Sequence, residues 1–446
     1  MVILWTDALI FMLIFILFGL VFYLRGKAHI KRPLQKIANN KSGMVSLVVL
    51  LFFVLIGLLD SVHFKPVGDN GNEIISLLDY WAKPLREQGE KTYSAPFATT
   101  LYSKEMMVMA DGSSQWAYPR LEFGGRHLDQ PESQRLTDIA KKGVAGLAQG
   151  AGLMVVLMLL PWLVGLVRHP QARINPALKS VVSTVVIVGS VGYMLCYLSG
   201  YYHVLGTDKV GEDVFYQAIK SIRTGLVIGT LTTLVMLPMA VVFGILAGFF
   251  RGWIDDVIQY IYTTLNSIPS VLLIAASILM VQVYMANHEQ EFTSVIVRAD
   301  MRLLFLCLIL GVTSWTGLCR LLRAETLKLR EMDYVQAAQA LGVKQGRILV
   351  RHILPNVMHI VLISVVLDFS SLVLAEAVLS YINIGVDPTT YSWGNMINGA
   401  RLEMAREPVV WWSLSAAFVF MFTLVLAANL FADTVQEAFD PRRGSQ

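Results

Sequence analysis

Long apolar stretches constrain this chain more than any other feature of its sequence. A bilayer core about 30 Å thick requires roughly 20 consecutive apolar residues when they are helical. Nine stretches reach or approach that length, near 5–24, 44–62, 151–168, 181–203, 222–250, 259–284, 303–324, 357–381 and 411–432. Because backbone groups within lipid must be paired inside their own segment, each stretch is predicted to be a helix. The expected fold class is all-α, a polytopic helical membrane protein.

The composition agrees with a membrane protein. Of 446 residues, 55% are hydrophobic and 15% are charged, whereas a soluble protein carries about 25% charged residues. This deficit excludes an ordinary cytosolic enzyme, a disordered protein and a nucleic-acid binder, and the net charge of +4 is too small for phosphate binding. The three cysteines lie in apolar runs and predict neither a disulfide framework nor a zinc site: Cys196, Cys307 and Cys319.

Basic residues between the apolar stretches predict the orientation. The 25–43 loop carries six Lys or Arg residues and no acidic residue, so we expect it in the cytoplasm. The 169–180 and 325–356 loops and the tail, with Arg442 and Arg443, fit the same frame. This frame places the N-terminus outside and the C-terminus in the cytoplasm. Since basic residues follow the first stretch and none precedes it, we expect an uncleaved anchor and not a signal peptide.

A polar segment at 63–150 separates the second apolar stretch from the third and lies outside the membrane in this frame. It contains aromatic residues and turn signals, among them Asp111-Gly112 and Gly124-Gly125. Two alternatives stand: a small extracytoplasmic subdomain and a partly ordered long loop.

The sequence contains no motif for nucleotide, metal or hydrolytic chemistry. It lacks a GxxxxGK[ST] phosphate loop, an HExxH pair and a GxSxG elbow. His352 and His359 could share a helix face, but Pro355 lies between them and no carboxylate accompanies them, so we predict no metal site. We expect a chain that is not an enzyme and that binds no cofactor of its own.

Two carboxylates interrupt the apolar stretch at 357–381. Asp368 and Glu376 are separated by a little more than two helical turns. A carboxylate at bilayer depth costs on the order of 2.5–3.5 kcal/mol, so it usually faces a cavity or a partner. The pair indicates a polar contact along a substrate path or subunit interface. The alternatives are a helix-packing hydrogen bond, and a position of the carboxylates nearer the membrane surface.

The segment at 333–356 has the pattern of two short helices around a glycine. Four residues fall at i, i+3, i+4 and i+7 and predict one helix face: Tyr334, Ala337, Ala338 and Leu341. Its two alanines would allow another protein to approach closely. Gly342 is predicted to end this helix, and a second helix then continues into the next membrane stretch. The spacing indicates a mechanical connector between a partner and the bilayer, with a plain amphipathic loop helix as the alternative.

This segment resembles the EAA loop of permease subunits of binding-protein-dependent ABC importers. The match to EAA-x3-G-x9-I-x-L-P runs through Ala337, Ala338, Gly342, Leu354 and Pro355. Gln336 stands where the family usually has Glu, which removes a charge, and His352 replaces the usual Ile, as is common in the peptide branch. The resemblance implies that five residues couple the chain to ATPase subunits: Gln336, Ala337, Ala338, Leu341 and Gly342.

Further segments resemble dipeptide, oligopeptide and nickel permeases in the same order along the chain. They are PLQKIANNKSGMVSL (33–47), LGTDKVGEDVF (205–215), FRGWIDDVIQYIYTTLNSIPSVLL (250–273), AEAVLSYINIGVDPTTYSWGNMINGAR (375–401) and FDPR (439–442). The resemblance covers about 205–446 fully and 33–62 in part. It implies that Asp208, Asp213 and Trp393 contact the binding protein; for Trp393, an anchor at the membrane interface is the alternative.

The resemblance implies a type I ABC importer permease core of six helices, to which this chain adds about three spans. The expected domains are an N-terminal anchor and basic cytoplasmic loop (1–43), the first core helix (44–62), an extracytoplasmic insert (63–150), an extra transmembrane hairpin (151–203), an extracytoplasmic LGTD segment (204–221), the transmembrane domain with its EAA-like loop at 333–356 (222–432), and a cytoplasmic tail (433–446).

The function implied is that of a permease subunit in the bacterial inner membrane, forming half of an ATP-driven pathway for peptides. The implied partners are a second homologous permease subunit, two ATP-binding subunits that hold the ATP, an extracytoplasmic solute-binding protein, the peptide and the lipid bilayer, with no nucleic acid. The alternatives are an ATPase-independent secondary transporter or channel, an integral membrane enzyme, and the import of nickel complexes or peptide antibiotics.

Overall fold

The structure is dominated by helices. The computed structural model describes residues 3–24, 28–65, 74–108, 114–168, 176–288, 290 and 294–439. In these ranges the helices are α1 (Trp5–Leu24), α2 (Ala28–Asn39), α3 (Lys41–Asp60), α4 (Leu77–Trp81), α5 (Lys83–Glu87), α6 (Pro131–Arg168), α7 (Pro176–Ser199), α8 (Val214–Phe250), α9 (Gly252–Ser267), α10 (Ser270–Asn287), α11 (Val295–Ser314), α12 (Thr316–Arg330), α13 (Asp333–Ala340), α14 (Gln345–Ile348), α15 (Leu354–Tyr381), α16 (Trp393–Glu403) and α17 (Trp412–Phe439).

Within the same described ranges, four short strands form two antiparallel pairs: β1 (His63–Phe64) with β2 (Ile75–Ser76), and β3 (Glu105–Val108) with β4 (Ser114–Ala117). A π-helical turn, Leu349–Ile353, joins α14 to α15. Several residues used in the sequence predictions lie outside the described ranges: Arg25, Lys27, the Asp111-Gly112 turn, Arg173, Arg442 and Arg443.

Seven described helices are long and apolar enough to cross a membrane, which confirms the all-α polytopic class. They are Lys41–Asp60, Pro131–Leu159, Ala177–Ser199, Val214–Phe250, Ser270–Asn287, Gln345–Tyr381 and Trp412–Phe439. A shorter apolar helix, Trp5–Gly19, corresponds to the predicted N-terminal anchor.

Two predicted spans are interrupted in the structure. The 259–284 stretch divides between α9 and α10 because Ile268 is extended, with φ −91° and ψ 130°, immediately before Pro269. A residue that precedes proline is pushed out of the helical region. The 303–324 stretch divides between α11 and α12 at Trp315. The prediction of one continuous helix was therefore wrong at both places.

The chain forms two compact units. The first comprises Ala38–Thr224 and Tyr391–Ala427, and its most extensively packed pair is α6 with α7. A Cβ added at Gly146 would lie 3.1 Å from Met194 Cα, and one added at Gly150 would lie 3.0 Å from Ser190 Cα. Glycine therefore permits the close approach of these helices, as small residues do in membrane helix pairs.

The polar insert is a folded part of the first unit. It carries β1 to β4, α4 and α5, and its buried residues include Leu78, Tyr93, Leu101, Leu121 and Leu128. This favours the subdomain over the partly ordered loop. Helix α6 begins at Pro131, inside the predicted insert, and continues through the predicted boundary at 150. At 1.5 Å per residue this helix is about 57 Å long, well beyond a bilayer core of about 30 Å.

The second unit comprises Ile3–Ile37, Gly225–Thr390 and Ala428–Gln446. Its core includes Met236, Ala240, Leu318, Leu322 and Val357, where α12 packs against α15.

The extra N-terminal helix, α1, packs against α11 in this second unit. The backbone N–H of Thr6 donates to Asp300 Oδ2 over 3.3 Å, and the Thr6 hydroxyl donates to Asp300 Oδ1. Both residues are buried. A buried carboxylate therefore satisfies donors in the first turn of the helix, which would otherwise have no partner within it.

Candidate functional site

The glycine turn after α13 is a regular helix terminus. Gly342 has φ +73°, its N–H donates to Gln339 O over 2.9 Å, and the N–H of Val343 donates to Ala338 O over 3.1 Å. These two bonds define a Schellman motif, which places its first residue beyond the helix in the left-handed region that glycine favours. The predicted helix end at Gly342 is confirmed.

The side chains of α13 divide between a buried and an exposed face. Val335 is fully buried and Ala338 is 9% exposed, both within the core of the second unit. Gln336 and Ala337 are exposed, and Leu341 is 83% exposed. The prediction that Ala337, Ala338 and Leu341 share one open face was wrong for Ala338. With Val335 one turn before it, Ala338 anchors the helix, and the open face consists of Tyr334, Ala337 and Leu341.

The EAA-like segment (333–356) is continuous with a membrane helix. Ile348 after the glycine turn, Ile353 in the π-helical turn and Val357 in α15 are all buried in the same core as Val335. The Asn356 amide also donates to the Tyr334 hydroxyl over 3.1 Å. Because close-packed interiors transmit strain, a displacement of α13 is passed to the start of α15.

Gln336 has a partner inside the chain. Its amide donates to Glu331 O over 3.2 Å and to the Glu331 carboxylate over 3.4 Å. The same carboxylate pairs with Arg251 at 2.5 Å. A Glu at position 336 would place a second negative charge beside Glu331, and the two carboxylates would repel each other, whereas Gln adds no charge.

A cavity of about 360 Å³ lies beside the glycine turn, and Arg330, Gln339 and Gly342 help to line it.

An ion pair joins α9 to α12 within the second unit. Arg323 donates from Nε to Asp255 Oδ1 over 2.6 Å and from Nη2 to Oδ2 over 2.7 Å. This bidentate geometry is the strong form of the interaction. The hydrogen bonds from Arg323 lower the pKa of Asp255 although its burial acts the other way.

Two of the three residues predicted to contact a binding protein are buried. Asp213 is 2% exposed and caps α8, accepting from the backbone N–H groups of Phe215 and Tyr216 over 2.8 and 3.1 Å. Trp393 is 1% exposed and donates from Nε1 to Ala218 O over 3.1 Å. Because both side chains are buried within the chain, neither offers a surface for direct contact. Burial also excludes the open position of a membrane-interface anchor for Trp393.

Asp208 is partly exposed. Its carboxylate accepts from the N–H groups of Val210 and Glu212 over 3.0 and 2.9 Å and from the Gln217 amide over 2.8 Å. It therefore shapes the LGTD loop (205–213), and its contact with a binding protein stays a prediction.

Sequence reasoning missed the buried partners of Asp213. His203 Nδ1 lies 2.7 Å from Asp213 Oδ2, and His203 Nε2 lies 3.4 Å from Glu90 Oε1. Burial opposes the charge on His203, but its hydrogen bonds with the two carboxylates raise its pKa to about 9.

Glu90 also accepts from the backbone N–H groups of residues 122, 123 and 124 over 2.9 to 3.1 Å. Burial opposes its charge, but these bonds and that with His203 lower its pKa to about 2. No signal in the sequence links Glu90 to the LGTD loop.

The insert packs tightly around the LGTD loop. Thr207 Oγ1 accepts from the Ser94 N–H over 2.7 Å and donates to Thr92 O over 2.9 Å. Gly211 has φ +81°, and a Cβ added there would lie 1.7 Å from Glu90 O. The insert therefore forms one folded body with the loop that resembles the permease motif.

The two intramembrane carboxylates have different surroundings. Glu376 is 1% exposed and accepts a hydrogen bond from the Ser380 hydroxyl over 2.7 Å. Asp368 is partly exposed, and in the described part of the chain its carboxylate takes part in no hydrogen bond or ion pair. The bond from Ser380 lies within α15 and not between helices, so the predicted helix-packing hydrogen bond stays a prediction.

Similarity to known proteins covers the region that contains the EAA-like segment. Residues 240–445 match the model of the binding-protein-dependent transport system inner membrane component. The chain is 31% identical over 240 residues to the dipeptide transport system permease protein of Lactococcus lactis subsp. cremoris, an alignment that covers 54% of this chain and 64% of that relative. It is 29% identical over 239 residues to the oligopeptide transport system permease protein of Mycobacterium bovis, covering 54% of this chain and 76% of the relative.

The glutathione transport system permease protein of Pectobacterium atrosepticum is 30% identical over 240 residues, covering 54% of this chain and 73% of the relative. The chain therefore belongs to the family of binding-protein-dependent transport system inner membrane components, and it is similar there to the permease proteins of peptide transport systems.

Proposed function

We propose that the chain is one permease subunit of an ATP-driven importer that carries peptides across the bacterial inner membrane. A second, homologous permease subunit forms the other half of the pathway. One of two ATP-binding subunits docks on the EAA-like segment from the cytoplasm, the two together hold the ATP, and a solute-binding protein delivers the peptide outside. The N-terminus lies outside and the C-terminus in the cytoplasm. The names of the similar proteins and the charge pattern of the loops support this proposal.

The observation that carries the proposal is the division of α13 into an anchored and an open face. Val335 and Ala338 hold the helix in the core, whereas Leu341 exposes 83% of its surface. Tyr334 and Ala337 are exposed on the same face, so Leu341 belongs to a contiguous apolar surface that another protein can bury. Gln336 and Ala337 lie on the exposed side of the same helix, so a partner could approach α13 there.

The anchored face explains how the motion of a partner would reach the membrane. ATP binding brings the two ATP-binding subunits together and displaces α13. Because α13 shares a core with the first turn of α15, α15 tilts with it. The pathway then closes on one side of the membrane and opens on the other. ATP acts by binding more tightly to one of the two conformations, which is the only way a ligand can shift such an equilibrium.

The test replaces Leu341 with Gln, which keeps the length of the side chain and removes its apolar surface. Leu402 is the matched control, because it is also an exposed leucine, 69% exposed, near the end of a helix. We expect L341Q to lose the ATP-binding subunits on co-purification and the ATP hydrolysis that the binding protein stimulates, whereas L402Q keeps both. A wild-type protein that never co-purifies with ATP-binding subunits and transports without ATP would identify a secondary transporter or channel instead.

A further inference from the structure

One face of α15 carries polar residues halfway along the helix. Ser364, Asp368 and Ser371 fall at i, i+4 and i+7, and the small residue Ala375 follows at i+11, so the four lie in one row. Asp368 is about 20 Å from each end of the helix at 1.5 Å per residue. The row therefore crosses the middle of an apolar helix that is long enough to span a membrane.

The nearby serine does not satisfy the Asp368 carboxylate. The Ser371 hydroxyl donates over 2.9 Å to the backbone oxygen of Asp368, within its own helix. Among the residues that the structure describes, no basic side chain pairs with Asp368 and no group donates a hydrogen bond to its carboxylate. Glu376, on the same helix, shows the contrast, because it is buried and bonded to Ser380. Asp368 is thus the carboxylate of α15 that remains available to another molecule.

A carboxylate at mid-membrane depth requires water or a cation, because the hydrocarbon can solvate neither its charge nor its hydrogen-bond acceptors. Contact between lipid and an unpaired Asp368 would be unfavourable. A water-filled pathway would instead hydrate the carboxylate between transport events. A solute that carries an ammonium group can then replace this water with a charge-assisted hydrogen bond, which is stronger than a neutral one.

We propose that Asp368 lines the translocation pathway and pairs with an ammonium group of the transported solute. This inference rests on the proposed function as a peptide importer, and it adds a specificity-determining residue inside the membrane. In a peptide the ammonium group is either the α-amino group or a lysine side chain. The two sources have the same chemistry, and the choice of peptides separates them.

Uptake by the complete importer in proteoliposomes tests the pairing. The probes are radiolabelled trialanine, N-acetyl-trialanine and N-acetyl-Ala-Lys-Ala, each at a concentration that saturates the binding protein. If Asp368 pairs with the α-amino group, we expect Asp368→Asn to lower the uptake of trialanine at least tenfold. If it pairs with a lysine side chain, the uptake of N-acetyl-Ala-Lys-Ala should fall at least tenfold instead. In both cases the uptake of N-acetyl-trialanine should fall less than twofold. Asp368→Glu should restore most of the loss.

Cysteine accessibility gives a second measurement that does not depend on the peptide chosen. With Cys196, Cys307 and Cys319 replaced by Ala, we expect Asp368→Cys to react with a charged, water-soluble thiosulfonate in the assembled importer. The matched control is Met280→Cys on α10, where the side chain is 75% exposed on an apolar helix and should not react.

The outcomes separate the two proposals. If the wild type takes up none of the three peptides, peptide import is refuted. If uptake occurs but Asp368→Asn leaves it unchanged, or if Asp368→Cys never reacts, only the role of Asp368 is refuted. An equal loss for all three peptides, together with loss of the second permease subunit on purification, would assign Asp368 to the subunit interface and overturn the pairing with solute.

Discussion

Replacing Gly342 with valine is expected to uncouple ATP hydrolysis from transport. No atom lies within 4 Å of a Cβ added at this position, so the side chain itself meets no obstacle. The cost comes from φ +73°, since a residue with a Cβ pays roughly 1–2 kcal/mol in the left-handed region. This lowers the ratio of native to relaxed turn by a factor of about 5–30. When the turn relaxes, Val343 loses its bond to Ala338 O, and α13 is no longer held in register with α15.

The assay measures uptake and ATP hydrolysis by the assembled importer in proteoliposomes. We expect Gly342→Val to lower uptake, by at most that factor of about 5–30, while Gly342→Asn retains more activity because Asn tolerates a positive φ. The control is Gly346→Ala in α14, where an added Cβ also meets no atom within 4 Å but φ is not positive. Full uptake by Gly342→Val, or an equal loss in Gly346→Ala, would refute the reasoning.

Three further predictions concern buried contacts. The pKa of His203, raised to about 9 from 6.5, means that its stabilising contribution is complete below about pH 6.5 and is lost as the pH rises through about 9. The midpoint of thermal unfolding should therefore fall over this range in the wild type and stay nearly constant in His203→Gln. Gly211→Ala would press a Cβ against Glu90 O, so limited proteolysis should cleave the insert faster, while the unobstructed Gly399→Ala remains resistant. Asp255→Asn removes the charge opposite Arg323 and should cost about 1.5–3 kcal/mol, measured as a lower midpoint in denaturant; an unchanged midpoint would contradict this estimate.

The EAA-like segment shows which parts of a site can be predicted from residue patterns. The helix end at Gly342 was predictable because glycine favours the left-handed backbone of a helix terminus. The orientation of α13 was not, since a small apolar residue such as Ala338 fits a core and a surface equally well. The orientation of α13 follows from the core that Val335 and Ala338 enter. That core includes residues nearly 100 positions earlier in the chain.

The long insert (63–150) shows what residue patterns cannot predict. Turn signals and aromatic residues left a subdomain and a loose loop open, because neither hydropathy nor propensity reveals long-range partners. Glu90 and His203 meet although they are 113 residues apart, and their pairing binds the insert to the LGTD loop. Only the folded chain could show this contact.

Hydropathy, helix period and glycine conformation are local properties of the chain, so the residues alone predict an all-helical membrane protein with a permease-like segment. Which carboxylates have a hydrogen-bond partner and which have none depends on the fold. Asp368 and Glu376 look alike in an apolar run, yet Glu376 is buried against Ser380 and Asp368 stays unpaired within the described residues. The physical reason is that the solvation and pairing of a charge depend on the atoms folded around it, which one-dimensional spacing does not specify.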